Sequence, residues 1–578
     1  MKHRWRRELA AVLVGGLIIA IAGCEPRRTD PVRSGWSRGL PLAAAEFGDR
    51  PALAVSAAAR WVVWGDAVDG EPGLMAGRIG DDGVLVGVSP VGIPAHYPHS
   101  PRLFLQKGEL ILFLLFRTEA GIDRLAVQRL SEEGRPVGGL IPVSPDDHDV
   151  ASYAVTQTPG GFVAVWGEGE RGLYSQVIPV DLQPNGPPQL LAPAGRNPAI
   201  AQDQSGSVHA VWLVSPAPGV AELHYGVIAS DGSTSLDSRY LGRVTGGLGA
   251  LFLPPALTVA QGWAYAALSV DYRGGLQAGT VETHVFAVPP EGAGEVRKLP
   301  MYVPPLLPES YADLGVGLRM DPVAAEQGPG TSVRAIGGYS RELGVGIIVV
   351  AAKLSSLRRE EYQPALVFLE DGREMGWSPL AITNGSPVAV ELTQSACGWH
   401  VAWVDMHASG DYTVLYASTS PAERAVLDRF SSADLVHVLL TVLSGLAAGL
   451  AAIPLFLLAA VPGIVVIAGH YILGGEGDLR GGRSKILLAM GLVPYVVLKL
   501  LFISGLVARF PFEEWLAPSV GRALSIALPA AFLGGGLLAT GLYWRRSQEP
   551  GLLPAYAVFV GVDILLSLVL VGASLAGA

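Results

Sequence analysis

Short apolar strands recur at a regular interval through residues 40–425. One aromatic-rich pattern appears at residues 61–66 (WVVWGD), 162–168 (FVAVWGE), 208–212 (VHAVW) and 399–405 (WHVAWVD), with weaker copies at residues 110–116, 263–268 and 346–351. The equivalent positions are Trp64, Phe116, Trp166, Trp212, Leu268, Ala351 and Trp403. Their spacings are 52, 50, 46, 56, 83 and 52 residues. This regular recurrence predicts a repeat architecture.

Each of these strands is flanked by further strand patterns. Upstream lies an apolar strand led by a proline, at Pro51, Pro101, Pro198, Pro255 and Pro387. Downstream come an alternating strand and an acidic or glycine turn, as at residues 74–83 and 125–134. A four-stranded sheet buries both faces when a ring of such sheets forms. We therefore predict an all-β propeller of about seven four-stranded blades, six or eight also fitting, with an insertion within residues 289–341.

Apolar stretches dominate residues 431–578, which predicts an all-α transmembrane module. Three of them, at residues 486–508, 523–544 and 552–576, have about the 20 residues that a bilayer requires. A fourth, at residues 435–473, is 39 residues long and could break at Pro462 and Gly463. The cations Arg480, Arg483, Lys485, Arg545 and Arg546 favour one net crossing in this stretch. We predict four spans, with five as the alternative.

The amino terminus has the pattern of an export signal. Four basic residues within residues 2–7 precede an apolar stretch at residues 9–22. The stretch ends in IAGC at residues 21–24, which resembles the lipobox of bacterial lipoproteins. That resemblance implies a signal peptide over residues 1–23, lipid on Cys24 and a tether over residues 24–39; an uncleaved signal anchor is the alternative. Either version places the propeller outside the bacterial cytoplasmic membrane, with membrane lipid as one partner.

Composition and charge narrow the classes of partner and chemistry. Charged residues make up 16% of the 578 positions, against roughly 25% in soluble chains. The two cysteines, Cys24 and Cys397, exclude a disulfide framework. Residues 24–430 carry a net charge of −14, so we expect no nucleic-acid partner. Since no Walker, HExxH or GxSxG motif and no GxGxxG in strand–turn–helix context occurs, we also expect no cofactor and no metal.

One repeat resembles a known family of propellers. Residues 197–212 are NPAIAQDQSGSVHAVW, followed by His224-Tyr225 and by SDGST at residues 230–234. This segment is similar to a repeat of the sialidase-like, BNR-type β-propellers, and the resemblance implies the propeller fold. The Asp-box of that family is not intact here, because residues 230–232 lack its spacer and aromatic residue. Fold alone does not assign an activity.

The predicted ligand-binding face contains the loops that enter each innermost strand and those that leave each second strand. The expected ligand-binding residues are His96, His99, Asp146, Asp147, His148, Asp149, Arg196, Asn197 and Asp271. The candidate catalytic carboxylates on the same face are Asp66, Glu168 and Asp405. Carboxylate pairs of this kind serve glycosidases when their separation is suitable. The 146–149 loop has the ligand types of a cation site but the spacing of a solvated turn.

Four polar residues lie within the apolar helical stretches: His437, His470, Lys499 and Asp563. Such groups are costly in lipid unless they are paired or shielded. Lys499 and Asp563 could neutralise each other. Alternatively, Lys499 extends to the interface and the histidines remain neutral near it.

These patterns lead to three functional hypotheses. The first is a membrane-anchored extracytoplasmic propeller that binds a protein or glycan ligand as a non-catalytic scaffold or receptor. The second is an anchored, sialidase-like glycosidase that uses the acidic residues of the face. The third is an accessory subunit of a membrane transport complex.

Overall fold

The protein forms two compact units. The computed structural model describes residues 28–30, 32–184, 186–228, 238–247, 249–290, 294–308, 311–315, 317–322, 331–339, 344–356, 359–436, 450, 453–473, 477–507 and 518–575. Arg27–Ser356 and Glu360–Arg429 belong to the first unit, and Phe430–Ala578 belong to the second. Cys24 and His437 lie outside the described residues.

The first unit is a seven-bladed β-propeller of antiparallel sheets, which confirms the predicted fold. Blades 1 to 3 run outward as β2 to β5 (Ala52–Val55, Ala59–Val68, Glu71–Gly80, Leu85–Pro90), β6 to β9 (His99–Gln106, Glu109–Arg117, Asp123–Leu130, Pro136–Pro142) and β10 to β13 (Ser152–Thr158, Gly161–Gly167, Leu173–Pro179, Gln189–Ala192). Blade 4 contains β14 to β17 (Arg196–Gln202, Val208–Ala217, Val220–Ile228, Arg239–Thr245). In each of these blades the first strand is the proline-led strand of the sequence pattern or the strand at the equivalent position.

The remaining blades depart from the four-strand plan in specific ways. Blade 5 contains β18 to β22 (Ala250–Phe252, Ala256–Ala260, Trp263–Tyr272, Thr280–Val288, Arg297–Leu299). Its inner edge is divided between β18 and β19 at Pro254 and Pro255, since proline cannot donate to a ladder. Blade 6 contains β23 to β28 (Ala312–Gly315, Leu318–Pro322, Val333–Tyr339, Gly346–Ser356, Arg359–Glu370, Arg373–Pro379), with β23 and β24 added outside. These two strands come from the predicted insertion at residues 289–341.

The ring is closed by the two ends of the propeller sequence. Blade 7 combines β29 to β31 (Ser386–Ser395, Gly398–Met406, Tyr412–Ser418) with β1 (Leu40–Ala45), which pairs antiparallel with β31. Because β1 leads directly into blade 1, the same segment holds blades 7 and 1 together. A short helix, α1 (Pro421–Leu427), follows blade 7.

Aromatic residues of the second strands fill the spaces between blades. The side chains of Trp64, Trp166, Trp212 and Trp403 are at most 1% exposed. Trp212 of blade 4, for example, packs in one cluster with Val163 of blade 3. The repeated tryptophans are therefore packing residues, as the strand pattern indicated.

The described part of residues 24–39, the segment predicted to be a tether, is packed against the propeller. Trp36 is 1% exposed and packs in a cluster with Phe368 and Trp399. The Ser37 amide donates to the carbonyl of Ser418 at 2.8 Å, and Arg38 Nε donates to the carbonyl of Thr29 at 2.7 Å. A buried indole and satisfied backbone groups are features of a folded segment.

The second unit is helical. Its long helices are α2 (Ile453–Ile472), α3 (Gly482–Val507), α4 (Pro518–Arg546) and α5 (Leu552–Leu575). Three of them contain segments long and apolar enough to cross a membrane, and α5 holds a shorter apolar stretch at Leu552–Leu568. Helix α2 continues through Pro462, where we expected a break. The count of four or five spans stays a prediction, because residues 437–449 and 451–452 lie outside the described part.

Two loops meet at one end of this helical module. The Leu479 amide donates to the Pro550 carbonyl at 2.9 Å, and the Leu552 amide donates to the Gly477 carbonyl at 2.8 Å. The five cations that decided the predicted topology lie in or beside these two loops. They therefore belong to one end of the module, which is true of both the four-span and the five-span alternatives.

Candidate functional site

The innermost strands of the propeller bring charged side chains from different blades together. Arg50 lies two residues before β2, and its Nε lies 2.8 Å from Oε2 of Glu391 on β29. A Cβ built on Gly337 of β25 would lie 3.7 Å from Arg50 Nη2. Arg50 therefore contacts the inner strands of blades 6 and 7 as well as its own. Contacts to three inner strands place this ion pair at the central channel.

Arg102 on β6 adds a second guanidinium to this group. Its Nη1 donates to the Pro101 carbonyl at 2.8 Å, and its Cζ lies 5.9 Å from the ring centroid of Tyr153 on β10. Burial, followed by the charge of Arg50, lowers the pKa of Arg102. Among the described residues, no carboxylate lies within 4 Å of Arg102. An anionic group would therefore gain a charge-assisted partner there.

Tyr153 forms the neighbouring wall of the channel. It is 6% exposed, and its hydroxyl donates to the Ser100 carbonyl at 2.5 Å. Burial raises the pKa of this phenol, so it remains a neutral hydrogen-bonding group. We define the channel cluster as Arg50, Arg102, Tyr153 and Glu391, which come from blades 1, 2, 3 and 7.

A third arginine, Arg334 at the start of β25, is held mainly by backbone. Its Nη2 donates to the Pro387 carbonyl of blade 7, and its Cζ lies 5.8 Å from the ring of Tyr362. Burial lowers the pKa of Arg334. The predicted site residue Asp271 lies at the end of β20 and pairs with Arg273 at 3.3 Å. These interactions belong to blades 5 to 7 and border the channel cluster.

The predicted residues His99 and Asp149 contact an aspartate that the sequence analysis missed, and His96 takes part only through its backbone carbonyl. Asp123 at the start of β8 receives Arg117 Nε at 2.9 Å and has His99 Nε2 at 3.8 Å. Its amide donates to Oδ1 of Asp149 at 3.2 Å, and the carbonyl of His96 accepts from the Arg117 amide at 2.9 Å. Each charge in this group has a local partner.

The loop before blade 3 divides into paired and solvated residues. His148 Nδ1 contacts Oε1 of Glu168, whose side chain is 3% exposed, and Trp166 Nε1 donates to the same oxygen at 3.2 Å. Asp146 pairs with Arg124 at 2.5 Å, whereas Asp147 is exposed. The described residues contain no group of three histidine, cysteine or acidic side chains that could hold a metal ion.

The other predicted residues have structural roles in their own turns. Asp66 Oδ1 accepts from the amides of Glu46 and Ala67 at 3.1 and 2.8 Å. Asp405 is 1% exposed, and burial raises its pKa to about 7. Arg196 begins β14, and Asn197 adopts a φ of 48° while its amide donates to Ser152 Oγ at 2.8 Å. Asp66 and Glu168 are thus engaged by neighbouring groups, and Asp405 is buried within its own blade.

A signal for the channel arginines was present in the sequence. Arg50 and Arg102 lie directly beside the proline that leads the inner strand of blades 1 and 2, and Arg196 lies two residues before that of blade 4. Charged residues beside an apolar inner strand indicate positions that face the channel rather than a neighbouring blade. The pairing of Arg50 with Glu391 depends on ring closure and has no local signal.

The helical module contains a separate polar network. Lys499 Nζ lies 2.5 Å from Asp563 Oδ1 and donates to Ser567 Oγ at 3.0 Å, while the Tyr495 hydroxyl donates to Asp563 Oδ2 at 2.6 Å. Both charged side chains are at most 3% exposed. Pairing and hydrogen bonding compensate the cost of burying these charges. His470 is half-buried beside Tyr471, with 6.2 Å between ring centroids.

Comparison with known proteins finds similar structures but no matching family model and no matching curated protein. The propeller is similar in structure to the polysaccharide lyase Uly1 (TM-score 0.41, 9% identity, 65% of this chain and 91% of that chain). It is also similar to a Trypanosoma rangeli sialidase (TM-score 0.33, 10% identity, 68% of this chain and 57% of that chain). A third similar structure is BBS1N in a complex with ARL6DN (TM-score 0.37, 10% identity, 66% of this chain and 97% of that chain).

Proposed function

We propose that this protein is a membrane-anchored extracytoplasmic receptor or scaffold whose propeller binds a ligand bearing an anionic group at the central channel. The observation that carries the proposal is the channel cluster, in which Arg50 pairs with Glu391 while the neighbouring Arg102 has no carboxylate within 4 Å among the described residues. Ligands commonly bind where a few polar groups converge in a concave, partly dry site. The propeller as a whole is acidic, so Arg50 and Arg102 form a local positive region, and this region would favour an anionic ligand over a neutral one.

The membrane part of the proposal follows from the helices and their charged loops. Three segments are long and apolar enough to span a bilayer. By the positive-inside rule, the basic loops at one end of the module favour a cytoplasmic location for that end. The opposite end of α2 then faces outward, which fits an exported propeller that precedes it in the chain. Lipid on Cys24 would add a second anchor.

Binding is favoured over hydrolysis because of the state of the candidate carboxylates. Asp405 is buried within blade 7, and Glu168 is covered by His148 and Trp166. Neither carboxylate is available to a sugar ring in this arrangement, whereas a glycosidase needs two carboxyl groups on either side of the scissile bond.

Direct binding to the purified full-length protein tests the proposal. The probes are uronate-bearing oligosaccharides and acidic peptides, each beside a neutral analogue of equal length, measured by titration calorimetry. Arg102→Gln should abolish the preference for acidic probes. Arg117→Gln is the matched control, because Arg117 lies on the same propeller, is exposed and is already paired with Asp123. Equal binding of acidic and neutral probes by the wild type would refute an anion-selective channel.

Two further measurements separate the remaining hypotheses. Hydrolysis of the same oligosaccharides, lost on changing Asp66, Glu168 or Asp405 singly, would establish the glycosidase. Intact-mass analysis of membrane-extracted protein addresses the anchor: a mature chain that begins at Cys24 with added lipid is expected. A chain that begins earlier, or identical processing of a Cys24→Ser variant, would contradict lipidation.

A further inference from the structure

An apolar cleft lies between α3 and α4 at the end of the module that carries the basic loops. Its volume is about 280 Å³. Leu488, Ala489 and Leu492 line it from α3, and Leu537, Gly541 and Trp544 line it from α4. Helix α5 packs against both α3 and α4.

The walls of the cleft follow the helical period. On each helix the lining positions recur every three or four residues, so they form one stripe. The stripe from Lys485 to Leu492 is about 10 Å long at 1.5 Å per residue. A side chain at Gly541 would have open space around it, since a Cβ there meets nothing within 4 Å. The cleft therefore has the elongated, apolar shape that suits an aliphatic chain.

The polar groups of the cleft lie at its loop end or are already bonded. The Thr540 hydroxyl donates to the Gly536 carbonyl at 2.9 Å, so it is satisfied within α4. Lys485 Nζ lies 4.6 Å from the ring centroid of Trp544. No described carboxylate lies within 4 Å of Arg483, Lys485, Arg545 or Arg546. These four cations thus lie beside an apolar groove without an ion-pair partner among the described residues.

We propose that this cleft binds one acyl chain of an anionic phospholipid, with the lipid phosphate at Lys485. The apolar walls offer water almost no hydrogen-bonding partners, which favours a lipid chain as the occupant. Basic pockets between transmembrane helices recognise anionic headgroups, and each nearby lysine or arginine adds about 1 kcal/mol. Trp544 lies where an aromatic residue anchors a helix at the interface.

Competition between two lipids tests the site on the full-length protein. The protein is delipidated in mild detergent and given equal amounts of phosphatidylglycerol and phosphatidylcholine with the same acyl chains, and retained lipid is measured by native mass spectrometry. The wild type should retain phosphatidylglycerol about fivefold over phosphatidylcholine, the ratio that about 1 kcal/mol produces. Lys485→Gln should abolish this preference while lipid is still retained.

Two matched controls make the result specific to the cleft. Arg483→Gln removes the same charge two residues away, which is about 200° around α3 from Lys485, and should keep the preference. Gly541→Leu should fill the cleft and remove retained lipid of both kinds. Gly469→Leu makes the same change on α2, where a Cβ also has open space, and should retain lipid as the wild type does.

Three outcomes would overturn the proposal. Equal retention of the two lipids by the wild type would exclude headgroup selection. Loss of the preference in Arg483→Gln but not in Lys485→Gln would indicate diffuse attraction to the basic end. Wild-type retention in Gly541→Leu, with the variant folded by circular dichroism, would show that the chain binds elsewhere.

Discussion

Arg60 and Glu423 form a buried ion pair that joins the first blade to the helix after the last blade. Nη2 of Arg60 lies 2.7 Å from Oε1 of Glu423, and both side chains are at most 2% exposed. The other carboxylate oxygen accepts from the Tyr416 hydroxyl at 2.6 Å. Together with the β1–β31 pairing, this contact locks α1 onto the two ends of the ring.

Removing one partner of this pair should weaken the propeller strongly. Arg60→Met leaves the Glu423 carboxylate buried without its cation, and we expect a loss of about 3–5 kcal/mol in unfolding free energy. Denaturant titration of the full-length protein in detergent measures it. Arg424→Gln, which breaks the exposed pair with Asp428, should cost at most about 1 kcal/mol. Similar losses for the two variants would contradict a role for the buried pair in ring closure.

Two buried groups of blade 7 should give opposite pH dependences. Burial raises the pKa of Asp405 to about 7 and lowers the pKa of His400 to about 3. Between about pH 4 and 7 the folded state keeps the Asp405 proton that the unfolded chain loses, so this group's stabilisation disappears as the pH rises. Between pH 3 and about 6.5 the unfolded chain protonates His400 first, so its contribution is lost as the pH falls.

Single substitutions separate these two contributions. Relative to the wild type, Asp405→Asn should gain stability as the pH rises from 4.5 to 7, by up to about 1.4 kcal/mol per pH unit. His400→Gln should show the reverse trend and gain relative stability as the pH falls. Thermal unfolding across this range measures both. Parallel pH profiles for the wild type and Asp405→Asn would show that Asp405 ionises normally in the folded protein.

Removing the carboxylate of the channel cluster should strengthen binding of an anionic ligand. Glu391→Gln releases Arg50 from its ion pair, and a half-buried pair of this kind that still meets solvent is worth about 1 kcal/mol. We therefore expect the affinity for acidic probes to rise by up to about fivefold while neutral probes are unaffected. Weaker binding by Glu391→Gln would show that Glu391 contacts the ligand itself.

The Lys499–Asp563 pair should hold the helical module together. Asp563→Asn leaves the Lys499 ammonium with a neutral partner in a buried site, and we expect about 3–5 kcal/mol of destabilisation. Fluorescence-detected size exclusion after heating in detergent measures it. The double variant Lys499→Met/Asp563→Leu removes both charges and should recover most of the loss. Ser567→Ala, which removes one hydrogen bond, should cost about 1 kcal/mol.

Thiol labelling tests the orientation of the helices. Cys397 is exposed on the propeller, so a membrane-impermeant reagent should label it on spheroplasts. Gly482→Cys and Gln548→Cys, each in a Cys397→Ala background, should react only after permeabilisation. For the labelling position before α3 we choose Gly482 rather than Gly477, because a side chain at Gly477 would contact Tyr471. Labelling of both engineered positions on intact spheroplasts would establish five spans instead of four.

Local features of the sequence were enough to predict the strands, the blades and the apolar helices. The alternation of side chains in a strand and the length needed to cross a bilayer act over a few residues, so they appear directly in the order of residues. The 83-residue interval between Leu268 and Ala351 likewise located the insertion that became β23 and β24.

Ring closure and charge pairing were decided only by the tertiary structure. The sequence does not show that β1 completes blade 7, that Trp36 is buried, or that Arg50 meets Glu391, since these residues are separated by hundreds of positions from their partners. The tertiary structure also decided the pairing of Lys499 with Asp563, which lie 64 positions apart, because the sequence left both pairing and extension to the interface open. Such contacts form because a closed ring or a packed bundle brings distant segments together, and each charge then adopts the partner that offsets its loss of water.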